Sequence, residues 1–529
     1  MSSGFDLRDE PWIPVRLAGS QLRVGLRRLF QQAHEIEDLE LPVPAAASAL
    51  LRVLAALTAR IGQHDGVPLG DQSLTEMSSR EWGRHRDRVL GEQQFDPAAV
   101  DAYFDASGWQ GRFDLFDDQR PFLQDPRLRV ECVDAQGRPN PSGVNKLVLG
   151  RPTGVNGAVL FGHFTDTAPV PVPAAEAAWH LLAQLYYGPS GQCTPRRITA
   201  DKPGNGDAGP LRKTVSFHPW APRLFTTLVL GVPAPGDEPD ADRPDLCPWE
   251  EEQLPDPLGP LAPPTWPTRL LTGRFRHAVL LVPSADRRTV TDAYVTWSTH
   301  QPPSAAADPY VIRDMPRKGD TPFARPADGR RALWRDLDAL LLRTGDRQAQ
   351  RPRILDSLPS RLRQELRVRA YGFDQDGQQR DNGWYEATTP PVLRWQREVH
   401  PEMAYYVDRC HQFAEQVGDR LDFAARLAWR LTTEPPKDPA AKVKLDRKKP
   451  GPWRDVAMRH FWPEAERVFW QLVTPEQCDA SPERPFVSAA LDALDGAIGT
   501  AARADVRVAR ARSRARAALF ALLPSTAEQ

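Results

Sequence analysis

Side chains with catalytic potential lie in two places, and neither place has a complete catalytic group. Residues 188–192 (GPSGQ) set a serine between glycines, but they lack the G-x-S-x-G spacing of a nucleophile elbow and follow a predicted helix instead of a strand. His163 and Asp166 could couple as a base and its orienting carboxylate, with no nucleophile adjacent. The sequence also has no H-E-x-x-H, Walker A, G-x-G-x-x-G or clustered His/Asp motif. In a chain of 529 residues this favours a binding subunit.

Residues 141–166 (PSGVNKLVLGRPTGVNGAVLFGHFTD) form a glycine-rich segment that also carries basic and aromatic residues. Lys146 and Arg151 are interleaved with the glycines, and Phe161 and Phe164 lie near the end. Glycine lets the main chain approach a phosphate or a base edge, and aromatic rings can wedge or stack against bases. The segment therefore predicts a contact with nucleic acid. The alternative is a long irregular surface loop.

Residues 188–213 (GPSGQCTPRRITADKPGNGDAGPLRK) combine glycines with basic side chains, as anion-binding loops do. A disordered linker is an equally good interpretation of this composition. The glycines at its centre are Gly204, Gly206 and Gly209, and the basic residues around them are Arg196, Arg197, Lys202, Arg212 and Lys213.

Residues 371–386 (YGFDQDGQQRDNGWYE) predict a tight hairpin. Gly377 is flanked by Gln375, Gln378 and Gln379, whose amides can pair with base edges. An ordinary hairpin without a ligand is the alternative.

The last predicted helix, within residues 500–523, has six arginines and one acid. Arg503, Arg507, Arg510 and Arg514 recur at the spacing i, i+4, i+7, i+11, which places them on one helix face. Such a stripe suits contact with phosphates. A solvated helix face is the alternative.

The overall composition excludes a protein that binds nucleic acid through bulk charge. Lys plus Arg number 68 and Asp plus Glu 69, so the net charge is −1. Hydrophobic residues make up 41% and charged residues 26%, as in ordinary globular proteins. Only 9 of the 68 basic residues are Lys, so the positive charge is almost all guanidinium, which is suited to bidentate phosphate and base contacts. A GC-rich genome that favours Arg codons would give the same bias.

Cysteine usage and the N-terminal sequence indicate an intracellular protein. Five scattered cysteines without a C-x-x-C argue for reduced thiols and against a Cys-based zinc site, so we expect no metal and no cofactor. The N-terminus has acids where a signal peptide needs a basic region, and we expect no membrane contact and a cytoplasmic location.

The elements that must position these segments predict an α+β fold. Residues 1–390 form a large mixed body of short strands and helices, and residues 391–529 form an all-α, four-helix bundle. Proline-rich connections cover 232–268 and 433–453. Helices are predicted at 44–62, 174–188, 331–343, 396–432, 455–474 and 484–523, and strands at 128–135, 213–217, 223–232, 277–283 and 368–373.

An ordered set of short motifs resembles one known family. The set is similar to CasA, the large subunit of the type I-E CRISPR surveillance complex Cascade, in order and spacing over nearly the whole chain. The motifs are FDLRDEPWIPV (5–15), RPFLQDP (120–126), LFGHFTD (160–166), RLFTTLVLGV (223–232), VTWSTHQPP (295–303) and YGFDQDGQ (371–378).

The resemblance implies a non-catalytic subunit that reads DNA. Members recognise the protospacer-adjacent motif in double-stranded DNA, start the strand separation that forms the R-loop, and support recruitment of a helicase-nuclease. The implied partners are target DNA, the subunits that carry the crRNA, and that helicase-nuclease. Sequence specificity is then delegated to pairing between guide and target.

The resemblance also assigns roles to particular residues. Gly162 stands where the family has an Asn, so that side-chain contact is not expected from it. Gln378 is the favoured wedge residue. The first DNA-contacting loop of the family matches Leu160, Phe161, Gly162 and His163, and its glycine loop matches Lys202, Gly204, Gly206 and Lys213. Its wedge matches Gln375, Gly377, Gln378 and Gln379. The helix that carries Arg503, Arg507, Arg510 and Arg514 would guide DNA.

Two other functions are consistent with the residues alone. One is a cytosolic transferase-type enzyme that uses His163 and Asp166, which predicts turnover without partners. The other is a scaffold whose bundle binds only protein.

Overall fold

The computed structural model describes residues 4–62, 78–153, 163–236, 244–303, 307–316, 318–342, 349–376, 380–436, 443–446, 448–499 and 505–524. The chain forms two compact units. The first comprises Met1–Arg331 and Gln348–Leu393, and the second comprises Ala332–Arg347 and Arg394–Gln529. Over the described residues, the first unit mixes helices with small antiparallel sheets and the second is helical, which confirms the predicted α+β class.

The elements have the following bounds. The helices are α1 Leu26–Gln31, α2 Pro44–Ile61, α3 Ser79–Glu92, α4 Pro97–Phe104, α5 Leu128–Glu131, α6 Val144–Leu147, α7 Ala174–Tyr187, α8 Leu224–Leu230, α9 Thr268–Thr272, α10 Leu337–Leu341, α11 Pro401–Thr433, α12 Pro452–Val473, α13 Glu483–Ile498 and α14 Val506–Phe520. The strands are β1 Ile13–Leu17, β2 Ser20–Val24, β3 Ile36–Leu39, β4 Val172–Pro173, β5 Gly191–Gln192, β6 Asn205–Gly206, β7 Val215–Trp220, β8 His277–Pro283, β9 Thr289–Trp297, β10 Arg313–Asp314, β11 Phe323–Ala324, β12 Ala349–Gln350, β13 Arg367–Asp376 and β14 Arg380–Thr388.

Helix α2 is the central helix of the first unit. Its Ala- and Leu-rich sequence is apolar on every side, and all of its residues except Pro44 are buried. Arg52 forms an ion pair with Asp308 at 3.0 Å. Arg60 forms one with Glu250, also at 3.0 Å. Among the described helices α2 is long and apolar enough to cross a membrane, yet 94% of it is buried within this protein, as expected for a core helix.

The sheet that carries the predicted hairpin has the order β14-β13-β7, and all of its pairs are antiparallel. Strand β13 is central, and its residues from Val368 to Phe373 are buried. The register shifts between Asp374 and Gln375, and a bulge of this kind strengthens the local twist. The predicted strands at 213–217, 277–283 and 368–373 are confirmed as parts of β7, β8 and β13.

Over its described residues, the second unit contains a four-helix bundle, as predicted. Helices α11 to α14 pack against one another, and α10 packs against α11. Buried residues of α11, including Val407, Ala414 and Leu421, recur at the spacing of one helix face. Within its described residues, the predicted helical segment 484–523 contains α13 and α14, and α13 ends at Ile498 before Gly499, whose φ is +61°.

Two predicted strands are wrong. Residues 128–135 include the short helix α5, and residues 223–232 form helix α8. A short apolar run that is buried on nearly all sides looks the same in sequence whether it is a strand or a core helix. Helix α8 is such a case, since six of its seven residues are buried and it packs against α2 and β7.

Candidate nucleic-acid interface

The first predicted DNA loop is described only at its end. Leu160, Phe161 and Gly162 lie outside the described residues, whereas His163 is exposed. Beyond it, Phe164 is 38% exposed, and the Arg151 guanidinium lies 4.2 Å from the centre of its ring. This pair presents a cation and an aromatic ring together, an arrangement that suits contact with phosphate and base.

Asp166, the orienting carboxylate of the alternative enzyme hypothesis, is engaged with the body of the first unit. Its Oδ1 accepts a hydrogen bond from Asn145 Nδ2 at 3.0 Å, and Asn145 is a buried residue of α6. That bond anchors the end of the loop to the body. Asp166 therefore has a positioning role that requires no reaction.

The glycine-rich segment 141–166 touches the hairpin at Gly150. This residue has φ +89°, and a Cβ added to it would lie 3.0 Å from the Trp384 ring of β14. A side chain at this position would be strained by the backbone and would press on the indole. Glycine at 150 therefore allows the segment to lie against the hairpin.

The glycine/basic segment 188–213 is folded, and part of it is a small antiparallel pair. Gly191 pairs with Gly206 and Gln192 with Asn205. Lys202 is exposed at φ +46° and Lys213 is half-buried at φ +66°, both in the left-handed region.

Two arginines of this segment are structural. Arg196 is fully buried; its Nη2 lies 2.7 Å from Asp125 Oδ2 and its Nε 2.6 Å from Glu131 Oε2. Arg212 is buried with its guanidinium 4.7 Å from the Phe373 ring centre, and it pairs with Asp381. Both guanidinium groups are buried and paired with carboxylates of this protein, so fewer basic groups of the segment can bind an anion than its composition indicates.

The antiparallel pairing of β13 with β14 confirms the predicted hairpin, and polar contacts join the two strands close to residues 377–379. Gln375 Nε2 donates to Asp381 Oδ1 at 3.1 Å, and Asn382 Nδ2 donates to Asp374 Oδ1 at 3.1 Å. Asp376 and Arg380 form the last described pair of the register. The remaining predicted wedge residues, Gly377, Gln378 and Gln379, lie outside the described residues.

The two glycine-containing segments, 141–166 and 188–213, both contact this hairpin. Segment 141–166 reaches it through Gly150 and Trp384, and segment 188–213 reaches it through Arg212 and Asp381. Segments that are far apart in sequence are therefore fixed to one β-ribbon within the first unit. Sequence reasoning missed the two residues of β14 that join them, Asp381 and Trp384, because no local pattern marks a long-range partner.

Two buried histidines beside these segments are uncharged at neutral pH. Burial, together with the smaller effect of the nearby Arg151 charge, lowers the pKa of His180 to about 4. Burial also lowers the pKa of His277 to about 4, although the hydrogen bond from its Nε2 to the Pro189 carbonyl oxygen opposes the shift. These two histidines therefore add no positive charge beside these segments at neutral pH.

The basic stripe lies in the second unit, on α14. Arg507, Arg510 and Arg514 are exposed, whereas Arg503 lies outside the described residues. Arg512 and Arg516 are half-buried and pair with Asp495 of α13, so these two are packing residues. The face that packs into the bundle consists of Val508, Ala511, Ala515 and Leu519.

Comparison with known proteins identifies the family. The family model described as CRISPR-associated protein Cse1 matches residues 6–504. This chain belongs to the Cse1 family. Among Cse1 relatives, the CasA/Cse1 protein of Thermus thermophilus is 28% identical over 445 residues, covering 80% of this chain and 77% of that protein.

Solved structures of Cse1-like chains have the same fold. A chain of a CRISPR RNA-guided surveillance complex is 39% identical, with a TM-score of 0.82 and coverage of 98% of this chain and 99% of that one. A chain of such a complex before nicking is also 39% identical, with a TM-score of 0.75 and coverage of 99% and 100%. Thermobifida fusca Cse1 is 20% identical with a TM-score of 0.74 and 98% coverage of both chains, a likeness of fold alone.

Proposed function

We propose that this chain is the large subunit of a type I-E Cascade, that it recognises the protospacer-adjacent motif in double-stranded DNA, and that it starts R-loop formation. The observation that carries the proposal is the 39% identity, over 98% of this chain, to a chain of an RNA-guided surveillance complex. The protein then acts in the cytoplasm with crRNA-containing subunits, and it supports the recruitment of a helicase-nuclease.

The arrangement of the three segments supports a sensor that works by insertion. The hairpin supplies a β-ribbon, and the two glycine-containing segments contact its strand β14 at Trp384 and Asp381. A ribbon that enters a duplex must resist the restoring force of base stacking, which costs a few kcal/mol per step to break. The contacts of both segments with β14 support the ribbon against that force.

Gln378 is the proposed wedge. Gln375, in β13, already donates its amide to Asp381, so its contribution is to hold the two strands together. Gln378 lies in sequence between Asp376 and Arg380, the last described pair of the hairpin, and an amide there could compete for base-edge hydrogen bonds.

Chemistry on the DNA is not part of this proposal. Asp166 is engaged with Asn145, and buried His180 and His277 have pKa values near 4, too low for general-base work at neutral pH. A reader of a short motif needs modest affinity and few contacts, because guide pairing supplies the specificity.

The test is Gln378→Ala in the complex assembled with crRNA and its partner subunits. We expect assembly to persist, because the residue lies outside the paired strands β13 and β14, and permanganate footprinting of target DNA to show several-fold less strand opening. The exposed Gln119→Ala variant is the matched control and should open DNA normally. If Gln378→Ala, and then the triple variant that also replaces Gln375 and Gln379, opens DNA at the wild-type rate, the wedge assignment is wrong.

A further inference from the structure

Three potential metal ligands from two helices meet in the second unit. Asp338 belongs to α10, and Asp408 and His411 belong to α11. One donor atom from each lies within 4.8 Å of the other two. Asp408 and His411 are three residues apart, so they project from the same face of α11. Asp338 faces them because α10 packs against α11.

The imidazole of His411 points to a ligand. His411 is only 6% exposed, and neither ring nitrogen makes a hydrogen bond of normal geometry within the described residues. Nδ1 lies 3.8 Å from Asp338 Oδ2, and Nε2 lies 3.3 Å from Glu415 Oε1. A buried polar group without a partner is destabilising, so such groups are uncommon unless something binds them.

We propose that Asp338, Asp408 and His411 Nδ1 bind a divalent transition-metal ion. Two carboxylates and one imidazole are a usual donor set for Zn²⁺ and Mn²⁺, with metal–ligand distances of about 2.0–2.2 Å for zinc. Donor atoms within 4.8 Å of one another need only small side-chain rotations to reach that geometry. A divalent cation also neutralises the two carboxylates, of which Asp408 is buried.

The surrounding residues form the support that metal-bound histidines normally have. A ligating imidazole commonly donates its other ring N–H to a carboxylate, which fixes the ring. Glu415 is placed for that role beside Nε2. Arg335 holds Glu415 through two hydrogen bonds of 2.7 and 2.8 Å, and its guanidinium lies 3.5 Å from the centre of the Trp462 ring.

One further contact orients a carboxylate. Gln412 Nε2 donates to Asp408 Oδ2 at 2.8 Å. The site would join α10 to the long bundle helix α11, although Asp338 is far from Asp408 and His411 in sequence. No metal motif is visible in the sequence, because these donors come from separate helices and no cysteine takes part.

An ion pair of His411 with Asp338 and Glu415 is the competing explanation for these contacts. It predicts stabilisation that does not depend on any metal, whereas the metal site predicts stabilisation that depends on the ion.

The experiment uses the full chain, purified without a polyhistidine tag, treated with EDTA and dialysed separately against Zn²⁺, Mn²⁺ and Mg²⁺. We expect about one equivalent of Zn²⁺ or Mn²⁺ by mass spectrometry of the metal content, a higher Tm than the metal-free protein, and no such effect of Mg²⁺. Asp408→Asn and His411→Gln should each abolish binding and the Tm shift. Asp419→Asn, an exposed acid on the same helix, is the matched control and should bind as the wild type does.

Should His411→Gln unfold the bundle, Asp338→Asn replaces it, because Asp338 is partly exposed. Retention of the wild-type helical circular dichroism shows that a variant is folded. The proposal is overturned if the wild type binds neither ion, if folded Asp408→Asn or Asp338→Asn binds as much metal as the wild type, or if added Zn²⁺ and Mn²⁺ leave the Tm of the metal-free wild type unchanged.

Discussion

Gly372 shows how one residue determines the shape of the hairpin. It faces Tyr385 across the β13–β14 pair, and a Cβ there would lie 2.1 Å from Tyr385 Cζ. We expect Gly372→Ala to lower the free energy of unfolding by roughly 1–3 kcal/mol, because the ring must leave its place in a packed sheet. Denaturant unfolding, followed by far-UV circular dichroism, measures the change.

Gly83→Ala is the control for this substitution. Gly83 lies within α3, and a Cβ there meets no heavy atom within 4 Å. Alanine is the better helix former by about 1 kcal/mol, so this variant should be slightly more stable than the wild type. Equal destabilisation by both substitutions would show that the Tyr385 contact is not the cause.

At the residue scale, the sequence alone could not sort the basic residues of a segment by role. Arg196 and Lys202 lie in one glycine-rich segment, yet Arg196 is buried between Asp125 and Glu131 while Lys202 is exposed. The two acids that pair with Arg196 are remote from it in sequence. A composition pattern carries no information about such partners, because pairing at that distance is set by the fold.

At the scale of elements, predictions succeeded where periodicity was strong. Helices α2 and α7, and the bundle helices, have enough turns for their apolar spacing to be recognised, and the hairpin has turn residues between alternating strands. Helix α8 has seven residues, and its sequence LFTTLVL fits a buried strand equally well. Its neighbours α2 and β7 determine the outcome, and they are not local in sequence.

Helix α14 carries the prediction that belongs to this scale. Replacing Arg507, Arg510 and Arg514 with Ala removes three exposed cations while the packed face stays intact. In the assembled complex, we expect weaker DNA binding with an unchanged motif preference. The slope of log K against log salt should become less negative by up to about 3, since each lost phosphate contact contributes about 0.9. Binding titrations at several salt concentrations measure it.

A second triple variant separates the stripe from net charge. Arg420, Arg459 and Arg484 are exposed on α11, α12 and α13, and replacing them with Ala changes the charge by the same amount. This variant should keep the wild-type salt slope. If both triple variants, or neither, change the slope, the α14 arginines do not form a dedicated phosphate contact and the solvated-face interpretation is right.

At the scale of the whole molecule, the resemblance in sequence indicated the family and the α+β class, and both are confirmed. The roles of the site residues stay predictions, and so does the domain boundary between residues 390 and 391. The contacts of segments 141–166 and 188–213 with the hairpin could not be predicted. Gly150 and Trp384, for example, are distant in sequence and meet only in the folded unit. Long-range packing of this kind has no local signature.

Buried neutral histidines make the stability of the first unit depend on pH. His180 and His277 have pKa values of about 4 in the folded protein, against 6.5 for an exposed histidine. The unfolded chain therefore binds these protons first as the pH falls. The stabilisation that comes from keeping these two histidines neutral is fully present above about pH 6.5. As the pH falls to about 4, the free energy of unfolding decreases by up to about 3 kcal/mol for each group. Denaturant unfolding at pH values of about 7, 5.5 and 4.5 should show this fall.

Replacing one buried histidine should remove a defined part of that dependence. The ring of His180 is buried and its Nδ1 makes no hydrogen bond within the described residues, so Phe can occupy the site at small cost. We expect His180→Phe to lose less stability than the wild type between about pH 6.5 and 4, because one fewer proton is taken up on unfolding. His460→Gln changes an exposed histidine and should follow the wild-type curve. Carboxylates with a lowered pKa, such as Asp125, also lose stabilisation as the pH falls, but they are present in both proteins and produce no difference between them. Identical curves for His180→Phe and the wild type would mean that His180 is not held neutral by its burial.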